Sequence, residues 1–163
     1  TGAIVSNIGY VADKTFWIQD ANGAHRTYLG DAVTPAPVPG DEVSFTVNAI
    51  TNYFGELEIT ALSDWTVISS GNSVYVQDGT GVALDYATMG RQMYDVYGEI
   101  TGELGECGGT TYCWELTHGG VVSELRTGKS IILGDCVHLV APVNYYDDNA
   151  LYDIGNWDWM EYY

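Results

Sequence analysis

The feature that most constrains this chain is that its second half repeats its first. From Gly40 the sequence reads GDEVSFTV, then a polar turn, then ELEI, and ends the run with SDW at Trp65. From Gly134 it reads GDCVHLVA, a polar turn, ALYD, and WDW ending at Trp159, so the offset between the two runs stays at 94 residues. Upstream, GAIVSN at Gly2 matches GEITGE at Gly98, and FWIQDANG at Phe16 matches CWELTHGG at Cys113. Order is kept, and the length changes fall between the matched segments. A repeat of this kind must be settled first, because each copy is one folding unit and missing it mis-assigns the whole fold. It also bears on function. Chemistry that needs one asymmetric set of residues is not expected in two copies, whereas a duplicated surface suits binding and assembly.

Helical periodicity is nearly absent. Short runs rich in Val, Ile, Thr, Tyr, Phe and Trp are broken by Gly, Asn and Asp, the pattern of strands joined by turns. The first copy is expected to hold strands near 2–9, 14–20, 24–30, 41–50 and 56–68. The second is expected to hold them near 94–104, 111–117, 120–127, 135–142 and 150–162. Residues 31–39, DAVTPAPVP, read as a connector, since proline cannot donate within a central ladder. Residues 70–92 have no counterpart before the first copy. Their SVYVQDGTGVAL is expected to form an extra β-hairpin over 73–86, and ATMGRQM a short turn of helix.

A meander of three strands, a connector and a final hairpin follow the order of an OB-fold barrel. FWIQDANG followed by a connector and PGDEVSFTV resembles the OB-fold modules of exported bacterial proteins, found beside extracellular nucleases and in surface proteins. The Gly-Asp before the fourth strand recurs as Gly134-Asp135. The resemblance implies an all-β chain of two tandem OB-like five-stranded β-barrels with the extra hairpin between them. The expected divisions are a first barrel over 1–69, a connecting hairpin over 70–92 and a second barrel over 93–163. Each copy of about 70 residues would be marginal alone.

Charge narrows the partners. The chain carries 22 acidic and 5 basic residues in 163, a formal net charge of -17. Nucleic-acid binding draws on cations that displace counterions from phosphates. Lys14, Arg26, Arg91, Arg126 and Lys129 are a thin supply, so nucleic acid is not the expected partner. Acidity fits a cationic partner, Ca²⁺, or a solvated acidic surface. No run of apolar residues is long enough for a membrane span. The chain begins at Thr1 rather than Met and is expected to be a processed or trimmed product, and its richness in Tyr with little Lys suits an extracellular or cell-surface protein.

Candidates for chemistry are few. His25, His118 and His138 lie in no catalytic pattern and do not match between the copies, and paired carboxylates are uninformative among so many acids. No enzymatic site is expected. Zinc would need a second pair of ligands beside Cys107 and Cys113, and none follows. A disulfide between Cys107 and Cys113 would close a tight loop in an oxidising compartment, leaving Cys136 free; the alternative is three half-buried thiols. Asp147, Asp148 and Asn149 cluster hard oxygen ligands in one turn that could hold Ca²⁺, and Asp78-Gly79-Thr80 form another acidic turn; solvated loop acids are the plain reading of both.

Aromatic residues are the better lead. OB barrels bind on the face of strands two and three, where bases stack on rings. Trp17 and Trp114 stand at matching places in the two copies. Phe16 with Ile18, and Trp114 with Leu116, look like inward pairs, which sends Trp17 outward; core packing is the alternative for both tryptophans. Trp65 and Trp159 read as structural. Tyr28, Trp157 and Tyr162 complete the candidate partner-binding set.

The function expected is a non-catalytic, exported binding or self-assembly module with a protein partner, in the first instance itself. One detail favours assembly. The second copy's opening strand starts several residues before the first copy's, so Thr1 begins partway along a strand and leaves ladder groups for another chain to fill. Such joining could run head to tail into a filament. The alternatives are a single-stranded oligonucleotide-binding accessory module of an extracellular nuclease, or a carbohydrate- or matrix-binding module.

Overall fold

A computed structural model describes residues 2–107, 112–146, 149–154 and 160–162. The chain divides into two compact units, Thr1–Tyr75 and Val76–Tyr163. Segment 70–75 therefore belongs with the first unit and 76–92 with the second.

The first unit holds β1 (Ala3–Ile8), β2 (Phe16–Asp20), β3 (Gly23–Thr27), β4 (Glu42–Tyr53) and β5 (Glu56–Ser69). They form a barrel in the order β1-β2-β3-β5-β4. All neighbours are antiparallel except β3 and β5, which run parallel. Alternation puts Val5, Phe16, Ile18, Val43 and Ile59 into one core with Leu29. Trp65 packs on that core with its ring centroid 5.3 Å from Phe16, and its indole N–H donates to the Pro35 carbonyl at 2.9 Å. An indole buried this way needs a partner for its N–H, and the Pro-rich connector supplies it.

The second unit holds β6 (Val76–Asp78), α1 (Tyr86–Met89), β7 (Met93–Glu106), β8 (Tyr112–His118), β9 (Val121–Thr127), β10 (Cys136–Tyr146), β11 (Asn149–Ile154) and β12 (Met160–Tyr162). Strands β7, β8, β9, β11 and β10 close a second ring, again with one parallel pair, β9 with β11. Its core contains Val96, Ile100, Leu116, Leu125, Val137, Leu139, Ala141, Val143, Tyr152 and Ile154. Strand β12 lies on β10 beside Val137–Leu139, the place that the far half of β5 takes beside β4.

The repeat is written into the bonding. In the first unit the Val5 N–H donates to the Asp41 carbonyl at 2.8 Å, Gly40 N–H to Val5 at 2.9 Å, and Val38 N–H to the Asp41 carboxylate at 2.9 Å. In the second, Ile100 donates to Asp135 at 2.8 Å, Gly134 to Ile100 at 2.8 Å, and Ile132 to the Asp135 carboxylate at 2.9 Å. Gly40 and Gly134 share φ 90°, a left-handed conformation open chiefly to glycine. The parallel seams match too: buried Thr27 faces core Ile59, and buried Thr127 faces core Ile154.

Two expectations need correction. Of the hairpin over 73–86 only one strand forms. Val76–Asp78 pair in parallel with β7, and the chain then turns through Gly79–Thr80 into α1 instead of returning as a second strand. The two tryptophans are also not equivalent. Counted from the matched parallel seams, Trp17 lies opposite Arg26 and corresponds to Cys113, opposite Arg126. Trp114 lies opposite Leu125 and corresponds to Ile18. The β8–β9 hairpin is longer by two residues on each strand, and a shift of one residue reverses the face that a side chain takes.

Candidate functional site

The two barrels differ most where β4 and β10 meet the opening strand. In the second unit the seam runs for seven residue pairs, from Cys136 opposite Glu99 to Pro142 opposite Met93. Beyond it, Arg91 N–H donates to the Val143 carbonyl at 2.5 Å and Val143 N–H to Gln92 at 3.1 Å. Residues 91–99 thus satisfy that edge of β10 from Cys136 to Val143. In the first unit the seam holds two pairs, Ile4 with Glu42 and Ala3 with Val43. From Ser44 to Tyr53, among the described residues, no strand lies along this edge of β4.

Side-chain exposure follows the ladder. Facing the core along β4 are Val43, Phe45, Val47 and, after a bulge at Asn48, Ile50, which pairs with core Ile59. Val43 is 1 % exposed, Val47 42 % and Ile50 57 %. The matching row on β10 is Val137, Leu139, Ala141 and Val143, each 0 % exposed. The cover in the second unit comes from residues 86–97. Tyr94 lies opposite Ala141 and Val96 opposite Leu139, and Met89 of α1 joins the same core. The hairpin tip adds exposed Tyr53 and Phe54, packed edge to face at 4.8 Å.

An unpaired strand edge with apolar side chains is a template for another strand, and native proteins usually blunt such edges with charge or proline. Residues 43–55 contain neither a charged residue nor a proline, in a chain of net charge -17. The bulge at Asn48 twists the strand without closing the edge.

The outer side of the second unit's seam has its own chemistry. His138 Nε2 contacts Asp95 at 2.6 Å, and its Nδ1 contacts Glu161 at 3.3 Å. The Tyr97 ring stacks on the imidazole at 3.7 Å. These contacts tie β7, β10 and β12 together. The position matching His138 on β4 is Ser44, so the first unit has no imidazole there.

The residues singled out from the sequence scatter. Trp17 lies outside the first core cluster yet is 4 % exposed, with the Arg26 guanidinium 5.4 Å above its ring. Arg26 also pairs with Glu58 at 3.0 Å, where burial raises the carboxyl pKa against the pull of Arg26. Tyr28, just past β3, is exposed. Trp114 packs against the second core. Tyr162 is exposed on β12, and its hydroxyl donates to the Ser130 carbonyl at 2.6 Å. Trp157, Asp147 and Asp148 lie outside the described residues; Asn149 opens β11, exposed, opposite Tyr146. Asp78 accepts the Thr80 N–H at 3.0 Å and so closes its own turn. Among the described residues no group of three or more His, Cys, Asp or Glu is placed to hold a metal ion. Cys107 and Cys113 form a disulfide, and Cys136 is free.

Two histidines could be mistaken for catalytic groups. His118 and Ser123 are 2.8 Å apart, as in a nucleophile–base pair. Both are buried, however, and His118 Nδ1 accepts the Gly81 N–H at 3.1 Å. Buried on both sides, 1 % and 7 % exposed, the pair is a contact within the second unit and does not open to solvent. Burial lowers the His118 pKa, offset in part by a backbone hydrogen bond at Gly79. His138 has a carboxylate on each nitrogen.

Sequence reasoning missed the exposed apolar row on β4. The signal was available for Val47, which aligns with Ala141 opposite Tyr94, whereas Ile50 is placed only by the bulge at Asn48. No protein-family model matches the chain, and no curated protein sequence matches it. Among solved structures it is similar to the tetrameric p202 HIN2 (11 % identity, TM-score 0.42, covering 100 % of this chain and 92 % of that one). It is similar also to the p204 HINb domain (12 %, 0.42, 100 % and 96 %). A third is the Ifi202 HINa domain in complex with 20-bp dsDNA (10 %, 0.41, 99 % and 94 %). The two-barrel architecture rests on the strand pairing described above, not on these likenesses. No helix is long and apolar enough to cross a membrane.

Proposed function

We propose that this chain is a non-catalytic building block of a protein assembly, joined to its neighbours by strand addition along β4. The observation that carries the reading is the contrast between the two copies of one seam. The β10 edge is filled through Val143, while among the described residues no strand lies along the β4 edge beyond Val43, and Val47 and Ile50 are exposed there. A strand added there gains main-chain hydrogen bonds and covers apolar surface in one step. Another copy of the chain is the first partner to test. A contact between different surfaces of two copies does not close by symmetry, so it extends into a chain or filament. The Cys107–Cys113 disulfide supports a place outside the cell or on its surface, because such bonds persist in oxidising compartments.

Acidity opposes association, since subunits of charge -17 repel. Salt screens that repulsion, and Ca²⁺ bridges carboxylates. Sedimentation velocity across a salt and Ca²⁺ series tests the reading. Growth in size with either addition, abolished by Val47→Lys, is the expected result. A compact monomer at high protein concentration under every condition would defeat it. The oligonucleotide-binding alternative is tested by titration with a labelled single strand at low salt, where sub-micromolar binding would favour it over assembly.

A further inference from the structure

Between β6 and α1 the chain makes a turn, residues 78–81, that is laid against the second barrel by polar contacts. Gly79 N–H donates to the Asp95 carbonyl at 2.9 Å, the Thr80 hydroxyl accepts the Tyr97 N–H at 3.0 Å, and Gly81 N–H donates to His118 Nδ1 at 3.1 Å. At the far end backbone meets backbone: a Cβ on Gly119 would lie 2.5 Å from Gly81 Cα. Gly79 is buried, and a Cβ there would lie 2.9 Å from the Tyr152 hydroxyl.

Two features of this closed turn work against it. Tyr152 is 0 % exposed, and its hydroxyl finds no hydrogen-bond partner among the described residues. A buried polar group in that state is destabilising until water reaches it. The second feature is the acceptor on His118. A neutral imidazole has one acceptor nitrogen and an imidazolium has none, so the Gly81 bond lasts only while the ring is uncharged. Gly81 is itself exposed, and water takes its N–H once the turn lifts.

The groups around the ring come from each neighbouring element. β9 brings the Ser123 hydroxyl, 2.8 Å from Nε2, and β11 brings Tyr152, edge on at 5.9 Å. The turn brings Asp78, whose carboxylate accepts the Thr80 N–H at 3.0 Å. Tyr94 of β7 and Asp78 both act on the Tyr152 hydroxyl. Burial lowers the His118 pKa from its ordinary 6.5, and a backbone hydrogen bond at Gly79 opposes this in part. With the turn lifted the ring is wet and titrates near its ordinary value. The open form therefore takes up a proton that the closed form refuses, and acid favours opening.

We propose that residues 78–81 are an acid-released latch on the second unit, closed while the His118 imidazole accepts the Gly81 N–H and opened, with Tyr152 wetted beneath it, when that ring takes up a proton. The latch belongs to the second unit alone and is independent of the β4 edge.

Amide hydrogen exchange of the intact, disulfide-bonded protein tests it, read residue by residue at pH 7.5 and pH 5.5 and corrected for the intrinsic pH dependence of exchange. The Gly79 and Tyr97 amides, which the turn holds, should lose protection by about threefold to tenfold between the two; about tenfold is the limit for a ring that titrates only when the turn is open. The amides of Leu116 and Leu125, in the barrel core, should keep theirs. Equal protection at both pH values, or a loss shared by Leu116 and Leu125, overturns the proposal. His118→Asn keeps a neutral acceptor of similar reach, and His118→Phe removes the acceptor. Neither side chain takes up a proton in this range, so the ratio between the two pH values should fall to one in both, with the turn better protected in the asparagine variant. A ratio that persists in either variant overturns the proposal. Tyr152→Phe deletes the unpartnered hydroxyl and should slow exchange at Gly79 at both pH values while leaving the ratio unchanged. No gain in protection there overturns the part given to the hydroxyl.

Discussion

Ile50 and Val143 lie on the inner faces of β4 and β10, each opposite a core residue of the neighbouring strand, Ile59 and Tyr152. Their truncation should therefore cost very different amounts. Val143 is 0 % exposed, so Val143→Ala removes buried carbon and leaves a cavity; a cost of about 2–3 kcal/mol is expected. Ile50→Ala removes one carbon more, yet Ile50 is 57 % exposed. At about 0.8 kcal/mol per buried carbon, the buried part of Ile50 accounts for about 1 kcal/mol of folding stability. The exposed part, about 1.4 kcal/mol by the same coefficient, is gained only when a donor strand covers it. Ile50→Ala should thus weaken association about tenfold while costing only about 1 kcal/mol of folding stability, less than Val143→Ala. Urea denaturation in dilute low-salt solution, with association measured separately by sedimentation, resolves the two terms. Equal folding costs for the two variants would refute the reasoning, because Ile50 would then be covered in the isolated chain.

Other outcomes follow from the same structure. His118 is buried with its pKa lowered, chiefly by desolvation. The unfolded chain then takes up a proton near pH 6.5 that the folded chain refuses, so this group costs nothing above that pH and lowers stability progressively below it. The denaturation midpoint of the second unit should fall between pH 8 and pH 5, and His118→Phe should shrink that fall; an unchanged difference contradicts the assignment. Gly40→Ala should destabilise more than Gly134→Ala in thermal melts. Both have φ 90°, but a Cβ on Gly40 would sit 2.7 Å from the Asn72 carbonyl oxygen, and one on Gly134 meets nothing within 4 Å. Alkylation without reductant should label one thiol, Cys136, and reduction should cost roughly 2 kcal/mol for so short a loop. Three labelled thiols before reduction would contradict the disulfide.

The fold was legible because its signals are local and doubled. Strands expected at 41–50 and 56–68 appear at Glu42–Tyr53 and Glu56–Ser69, and the Gly-Asp turns that precede β4 and β10 carry matching hydrogen bonds. Phe16 and Ile18 entered the core as their alternation implied. Register across a hairpin was not legible. Trp114 points inward as its alternation with Leu116 implied, but although CWELTHGG aligns with FWIQDANG letter by letter, the β8–β9 hairpin is longer and Trp17 corresponds to Cys113. The extra hairpin failed for a related reason. SVYVQDG has the right alternation, and whether its strand pairs forward or with β7 depends on a long-range contact that periodicity does not encode. The exposed row of Val47 and Ile50 on β4 likewise needed the register of β4 against β5.

Amide hydrogen exchange along β4, followed as the protein is taken from dilute low-salt solution into salt or Ca²⁺, tests the central claim most directly. The amides of residues 44–53 that point away from β5 should exchange rapidly at first, while their counterparts from Val137 to Val143 on β10 are slow from the outset. Slowing of the β4 amides in step with association is the result expected if a donor strand fills that edge. Protection of those amides in the dilute monomer, or association that leaves them fast, would contradict it.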